Sequence, residues 1–211
     1  MEITAACSSN DFDSPPVISC AKLPCHVDLP ALQDELARLL EATGVSWVDH
    51  VNRKDYSGGW DVLPLRCQRV HAEAHPVLQG FAIANGEDWQ DLPVLITCPA
   101  IKAFLQTLKC PLKSVRLMRL KAGAEIKPHR DYGLSLEYGE ARLHLSLQTS
   151  TKIRFLINGQ DVPMREGELW YINADQIHAV QNLGDEDRIN LVIDCIANAW
   201  LQEQIRAAWQ Q

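Results

Sequence analysis

Residues 142–148, RLHLSLQ, alternate without a break: Leu143, Leu145 and Leu147 fall on one side, and Arg142, His144, Ser146 and Gln148 on the other. A period of two marks a strand. Similar short β-prone runs fill the chain from residue 113 onward: SVRLMRL, KIRFLI, GELWYI, HAVQNL and RINLVIDC. Gly, Asn, Asp and Pro separate them; Asn158-Gly159 predicts a tight turn, and Glu166-Gly167 leads into the next strand. So many short strands in succession predict a sandwich or jelly-roll barrel with its core at about 113–195. Helical spacing appears elsewhere. In 27–43 Leu32, Leu36, Leu39 and Leu40 share a face, Asp28 is placed to cap the helix, and Gly44 follows it. A short helix is expected over Pro99–Leu108, and a closing one over 198–209, with Trp200, Leu201, Ile205 and Trp209 roughly on one side. Residues 1–16 are polar and end in Pro15-Pro16, which predicts a flexible lead-in before a single domain spanning 17–211.

Composition narrows the partners. The chain has 211 residues, 46% hydrophobic and 22% charged, enough for one good core. Its formal charge of -7 supplies no basic stripe for a nucleic-acid backbone, while a small anion in a local positive pocket stays open. No stretch is long or apolar enough to span a membrane, and MEITAACSSNDFDSPP carries acids and no apolar core, unlike a signal peptide. The expected location is cytoplasmic. The 7 cysteines show no paired metal-ligand spacing, which predicts free thiols.

The candidate chemistry begins at KPHRD, residues 127–131, where His129 and Asp131 stand two positions apart and share one face of an extended segment. The pair is either half of a metal site or a polar turn. A third ligand would have to come from a strand distant in sequence, and His178, where a polar turn leads into a strand, is well placed. Two imidazoles and a carboxylate form the facial triad of non-haem Fe(II), which leaves positions for a chelating 2-oxo acid and dioxygen. Zinc or manganese would fit the same donors. A 2-oxo dicarboxylate also needs a cation for its far carboxylate. Arg188 offers a planar fork for it, inward-facing on its strand, or else forms a surface ion pair with Glu186 or Asp187. The polar face of RLHLSLQ is either solvated or lines a cavity.

Taken together, HVNRKDYSGGWDVLPLR (50–66), KPHRD, RLHLSL, GELWYINADQIHAV (167–180) and DRINLVIDC (187–195) resemble the aspartyl/asparaginyl β-hydroxylase family of Fe(II)/2-oxoglutarate-dependent dioxygenases, closest in pattern to its bacterial free-proline hydroxylases. The resemblance runs from about Asp49 to Asp194. It implies a mainly β fold with flanking helices, a double-stranded β-helix of the jelly-roll, cupin-like kind. It implies His129, Asp131 and His178 as iron ligands and Arg188 as the anchor of the 2-oxoglutarate C5 carboxylate. Arg142 and His144 match positions that hold cosubstrate in the peptide-acting branch, whereas in the proline-acting branch an arginine near 142 faces the substrate carboxylate; both roles stay open. The epidermal-growth-factor-domain hydroxylases carry glycine where this chain has Asp131, which favours a free amino acid or related small metabolite as substrate. Hydroxylation of a peptidyl Asp or Asn, and a non-catalytic metal-binding cupin-like protein, are the alternatives. Arg53, in a lid or surface hairpin over Trp60 and Leu63, and Trp170, alternating with Tyr171, are further candidates for the substrate pocket. The C-terminal helix either closes the barrel, the favoured reading, or buries a homodimer face.

Overall fold

The computed structural model describes residues 16–80 and 87–210, so the expected lead-in over 1–16 lies almost wholly outside the described residues. The chain opens with strand β1 (Cys20–Leu23), helix α1 (Leu29–Glu41) and strands β2 (Val48–Asp49), β3 (Tyr56–Ser57) and β4 (Trp60–Gln68). Short α2 (Pro76–Gln79), β5 (Trp89–Asp91), α3 (Pro93–Ile96) and α4 (Pro99–Thr107) follow. Then come β6 (Leu112–Leu120), β7 (Glu125–His129), β8 (Glu140–Gln148), β9 (Ile153–Ile157) and β10 (Gln160–Asp161). The chain ends in β11 (Leu169–Ile172), β12 (His178–Asn182), β13 (Arg188–Ile196) and α5 (Ala199–Trp209).

The strands form two separate sheets, which corrects the expected architecture. One is 8-stranded, in the order β1-β11-β8-β13-β6-β4-β2 with β5 added on β4; the other is 5-stranded, in the order β10-β9-β12-β7-β3. Each runs from one edge strand to another, so neither closes into the barrel that a double-stranded β-helix or jelly roll requires. Alternation specifies which face of a strand is buried. It says nothing about whether the last strand returns to pair with the first.

Alternation does set the layers. Leu143, Leu145 and Leu147 on β8, with Val115 and Leu117 on β6 and Ile189, Leu191 and Ile193 on β13, pack in one cluster with residues of α1, α4 and α5. Each such leucine, fully buried, contributes about 1.5–3 kcal/mol of transfer free energy. The opposite face of the large sheet meets the small one across Trp60, Leu120 and Trp170 on one side and Ile126, Phe155 and Val180 on the other.

Helix α1 starts where expected, with Asp28 accepting from the Ala31 N–H at 3.3 Å. Leu32, Leu36 and Leu39 are buried, while Leu40 faces solvent. On the same buried face Glu35 reaches across to α4 and accepts from the N–H groups of Ala100 (2.6 Å) and Ile101 (2.9 Å), capping a helix whose own N-cap, Cys98, makes no capping bond through its side chain. On α5, Leu201 and Ile205 are buried but Trp209 is exposed. Asn158 and Gly159 both take positive φ (48° and 79°) in the two-residue turn between β9 and β10, as their sequence predicts.

The segment 50–66 contributes most of the nine-residue strand β4 to the large sheet rather than only a lid or surface hairpin. Pro64 hides this strand in the sequence, because proline cannot donate to a ladder. The ladder accommodates it by slipping register between Pro64 and Arg66. The six described cysteines are free, and no helix among the described residues is long and apolar enough to cross a membrane.

Candidate active site

His129 and His178 are direct cross-strand partners on β7 and β12 of the small sheet, and their rings lie 4.2 Å apart. Asp131 follows two residues past His129, with its N–H bonded to the Ala174 carbonyl at 2.8 Å. The ligand atoms of all three residues fall within 4.8 Å of one another. Both imidazoles are oriented in the same way: His129 Nδ1 lies 2.9 Å from the Lys127 carbonyl, and His178 Nδ1 lies 2.9 Å from the Gln176 carbonyl. A carbonyl only accepts, so each Nδ1 carries the proton and each Nε2 keeps its lone pair for a metal. Burial lowers the pKa of His178 to about 4, which keeps it neutral. Burial opposes ionisation of Asp131, but Arg142, His178 and His129 outweigh it and hold the carboxyl below its usual value. Two imidazoles and a carboxylate converging on one spot suit Fe(II) by donor type.

The facing wall belongs to the large sheet. Arg116 on β6, Arg142 and His144 on β8, and Arg188 and Asp194 on β13 all line a cavity of about 300 Å³ that also contains the three-residue cluster. The polar face of RLHLSLQ is therefore a cavity wall. Arg188 is buried and forms no surface ion pair: among the described residues no carboxylate reaches it, and its guanidinium lies over the Phe155 ring at 5.4 Å. Burial alone pushes its pKa down to about 10, so it stays charged at neutral pH at a cost. Among the described residues its oxygen partner is Asn190. The Asn190 amide is oriented with its oxygen toward two donors, accepting from Arg188 Nη2 at 2.7 Å and His144 Nδ1 at 3.2 Å; the reverse would set N–H against N–H. His144, held neutral by burial and by Arg188 and Arg142, is then left with Nε2 buried and without a partner. A buried guanidinium lacking a counter-ion is an incomplete site that an anionic ligand would complete, while the lone pair on His144 Nε2 calls for a hydrogen-bond donor.

Arg142 is not open in this way. Its Nε and Nη2 donate to Asp194 Oδ1 (2.7 Å) and Oδ2 (3.1 Å), and its Nη1 donates to Asp131 Oδ2. Arg116 supports Asp194 from the other side at 2.9 Å. Removing one member of such a buried ion group typically costs about 3–5 kcal/mol, because the remaining charge is left unpaired.

The other substrate-pocket candidates lie elsewhere. Arg53 is exposed and paired with Asp49 at 2.9 Å, and Trp170 packs between the sheets with its indole N–H on Glu168 at 3.0 Å; neither lines the cavity. Arg53 sits in a surface turn within reach of a carboxylate four residues away, and Trp170, opposite His144, lies one strand nearer the edge of the large sheet. Arg116, Asp194 and Asn190 are the residues that sequence reasoning passed over. Their signal was present in SVRLMRL and RINLVIDC, where they occupy the same alternate face as the polar residues of RLHLSLQ. His50 was also missed; it lines the cavity and stacks on Trp60 at 3.6 Å.

The fold and site together define a two-sheet protein with a His-Asp-His cluster facing a buried, unpaired arginine. The chain matches the family model described as Aspartyl/Asparaginyl beta-hydroxylase over residues 27–198, and it belongs to that family. It is 30% identical over 151 residues to L-proline cis-4-hydroxylase from Rhizobium meliloti (strain 1021), which covers 71% of this chain and 52% of that protein. The chain thus matches about half the length of that relative. Among solved structures it is similar in fold to an oxidoreductase of the 2OG-Fe(II) oxygenase family from Burkholderia pseudomallei (TM-score 0.53, 14% identity, 85% of this chain and 86% of that one). It is also similar to SnoN, the non-heme alpha ketoglutarate dependent epimerase of nogalamycin biosynthesis (TM-score 0.50, 17% identity, 84% and 77%).

Proposed function

We propose that this protein is an Fe(II)/2-oxoglutarate-dependent dioxygenase that hydroxylates an unactivated C–H bond of a free amino acid, proline-like, or a related small metabolite. The observation that carries the reading is the juxtaposition of a two-His, one-Asp donor set with a buried guanidinium that, among the described residues, has no carboxylate of its own. His129, Asp131 and His178 hold the iron in this reading. Iron(II) with 2-oxoglutarate and dioxygen supplies the oxidising power, and succinate and carbon dioxide are the co-products. Arg188 takes the far carboxylate of 2-oxoglutarate as a bidentate pair. Phe155 lies against this guanidinium, and Ile172, Val180 and Val192 add apolar lining to the same cavity, which strengthens an ion pair formed there. A cavity of about 300 Å³ that must also hold the cosubstrate favours a small substrate over a folded protein chain.

The test is an anaerobic titration of the purified protein with Fe(II) and then 2-oxoglutarate, following the visible charge-transfer absorption of the chelate. The reading expects a band in the wild type that is absent in His178→Ala. Clean metal binding with no band would overturn it in favour of a non-catalytic metal protein.

A further inference from the structure

Arg142 has two roles on sequence grounds, as a clamp for the cosubstrate or for the substrate carboxylate. Its hydrogen bonds point to a third. Three of its five N–H groups are committed to two carboxylates, Asp194 and Asp131. Asp194 stands directly opposite Arg142 across β13 and β8, and it is fully buried. Behind it, Arg116 donates to Asp194 Oδ2 at 2.9 Å and to Ser114 Oγ at 2.9 Å. Ser114, Arg116, Asp194 and Arg142 thus form a continuous buried chain across three neighbouring strands, and the chain ends on Asp131.

Asp131 needs such support. The two histidines stand on strands and are fixed by carbonyls two residues back, but Asp131 lies past the end of β7 in a turn. A carboxylate on a turn has free rotation about its side-chain bonds and offers a metal either oxygen or both.

We propose that Arg142 is a positioning residue for the metal site: it occupies Asp131 Oδ2, leaving Oδ1 as the single oxygen available to the metal, and Asp194 with Arg116 fixes Arg142 so that it can do so. This rests on the reading of His129, Asp131 and His178 as the metal site. It assigns the cosubstrate carboxylate to Arg188, because both edges of the Arg142 fork are already engaged by Asp194 and Asp131.

Co(II) binding to the purified protein tests the chain, with wild type, Arg142→Lys, Asp194→Asn and His178→Ala compared by calorimetry and visible absorption. Lysine keeps a cation against the buried Asp194 but cannot span both carboxylates. The expected result is Co(II) affinity weaker by about 10–100-fold in Arg142→Lys, the range typical for loss of a partner that orients a ligand. A smaller loss in the same direction is expected in Asp194→Asn. At saturating Co(II), the visible band of Arg142→Lys should differ from wild type, since its carboxylate is free to bind through both oxygens, while 2-oxoglutarate affinity is unchanged. Wild-type Co(II) affinity and an unaltered band in Arg142→Lys, with 2-oxoglutarate weakened instead, would overturn the proposal and make Arg142 a cosubstrate clamp. If Arg142→Lys does not fold, Asp194→Asn reads the same chain from its far end, and wild-type behaviour there overturns it equally. Failure of the underlying site reading looks different: wild type and His178→Ala would then bind Co(II) alike.

Discussion

Replacing Arg188 by methionine should make the ligand-free protein more stable while removing its response to 2-oxoglutarate. The side chain is 5% exposed, and burial moves its pKa from 12.5 to about 10 with no carboxylate to offset the loss of hydration. At 1.36 kcal/mol per pKa unit this is a cost of about 3 kcal/mol for the charged form. The folded pKa lies below the unfolded one, so the cost is present at every pH below about 10, including neutrality. The hydrogen bond to Asn190 returns about 1.5 kcal/mol, as bonds from charged donors do, so roughly 1–2 kcal/mol of strain remains. Methionine fills a similar volume against Phe155 without the charge. For a chain of this size each kcal/mol moves Tm by about 2–4 °C, so the variant should melt about 2–8 °C higher. Adding 2-oxoglutarate in the presence of Co(II) reverses the order: at a hundred times Kd the wild type gains about 2.7 kcal/mol, and Arg188→Met gains nothing. Thermal melts of both proteins with and without 2-oxoglutarate measure all four states. A variant that melts lower than wild type without ligand, yet shifts as wild type does with it, would refute the view of Arg188 as a strained anion site.

Three further outcomes follow from particular contacts. Burial, and Arg116 after it, lowers the His50 pKa to about 3, and its Nδ1 accepts from the Asn52 N–H at 3.4 Å. Native His50 therefore stays neutral while the unfolded one protonates below its ordinary 6.5, so stability falls as pH drops from 6.5 toward 3. In urea unfolding between pH 6.5 and about 5, His50→Gln should show a shallower fall than wild type by about 1.4 kcal/mol per pH unit; parallel falls would refute this. Glu35→Ala strips the cap from α4 and leaves two N–H groups without their acceptor, which should lower unfolding free energy by about 2 kcal/mol with Co(II) affinity unchanged. Gly159→Ala forces a side chain onto φ 79° in open space, and a loss of about 1 kcal/mol should appear as a lower urea midpoint at constant slope.

The chain illustrates which properties a one-dimensional pattern carries. Alternation in RLHLSLQ and RINLVIDC determined the strands, their leucine-rich outer face and a polar inner face, because the pleat sends neighbours to opposite sides whatever the strand later pairs with. Asp28 and the leucine spacing determined α1, and Asn158-Gly159 determined its turn, since caps and turns are satisfied within a few residues. The triad of His129, Asp131 and His178 was legible as a set of residue types in order. Only the tertiary structure decided what required distant strands to meet. The sheets stay open because closure depends on whether edge strands find partners, which no local signal encodes. Trp60–Gln68 joined the large sheet despite Pro64, because β4 carries an extra residue beside the proline where its register against β6 slips. The largest difference lies at Arg142, whose role rests on carboxylates 11 residues before it and 52 after it. Both are brought to it by register and by the facing of two sheets, and in the sequence they are simply two aspartates among many.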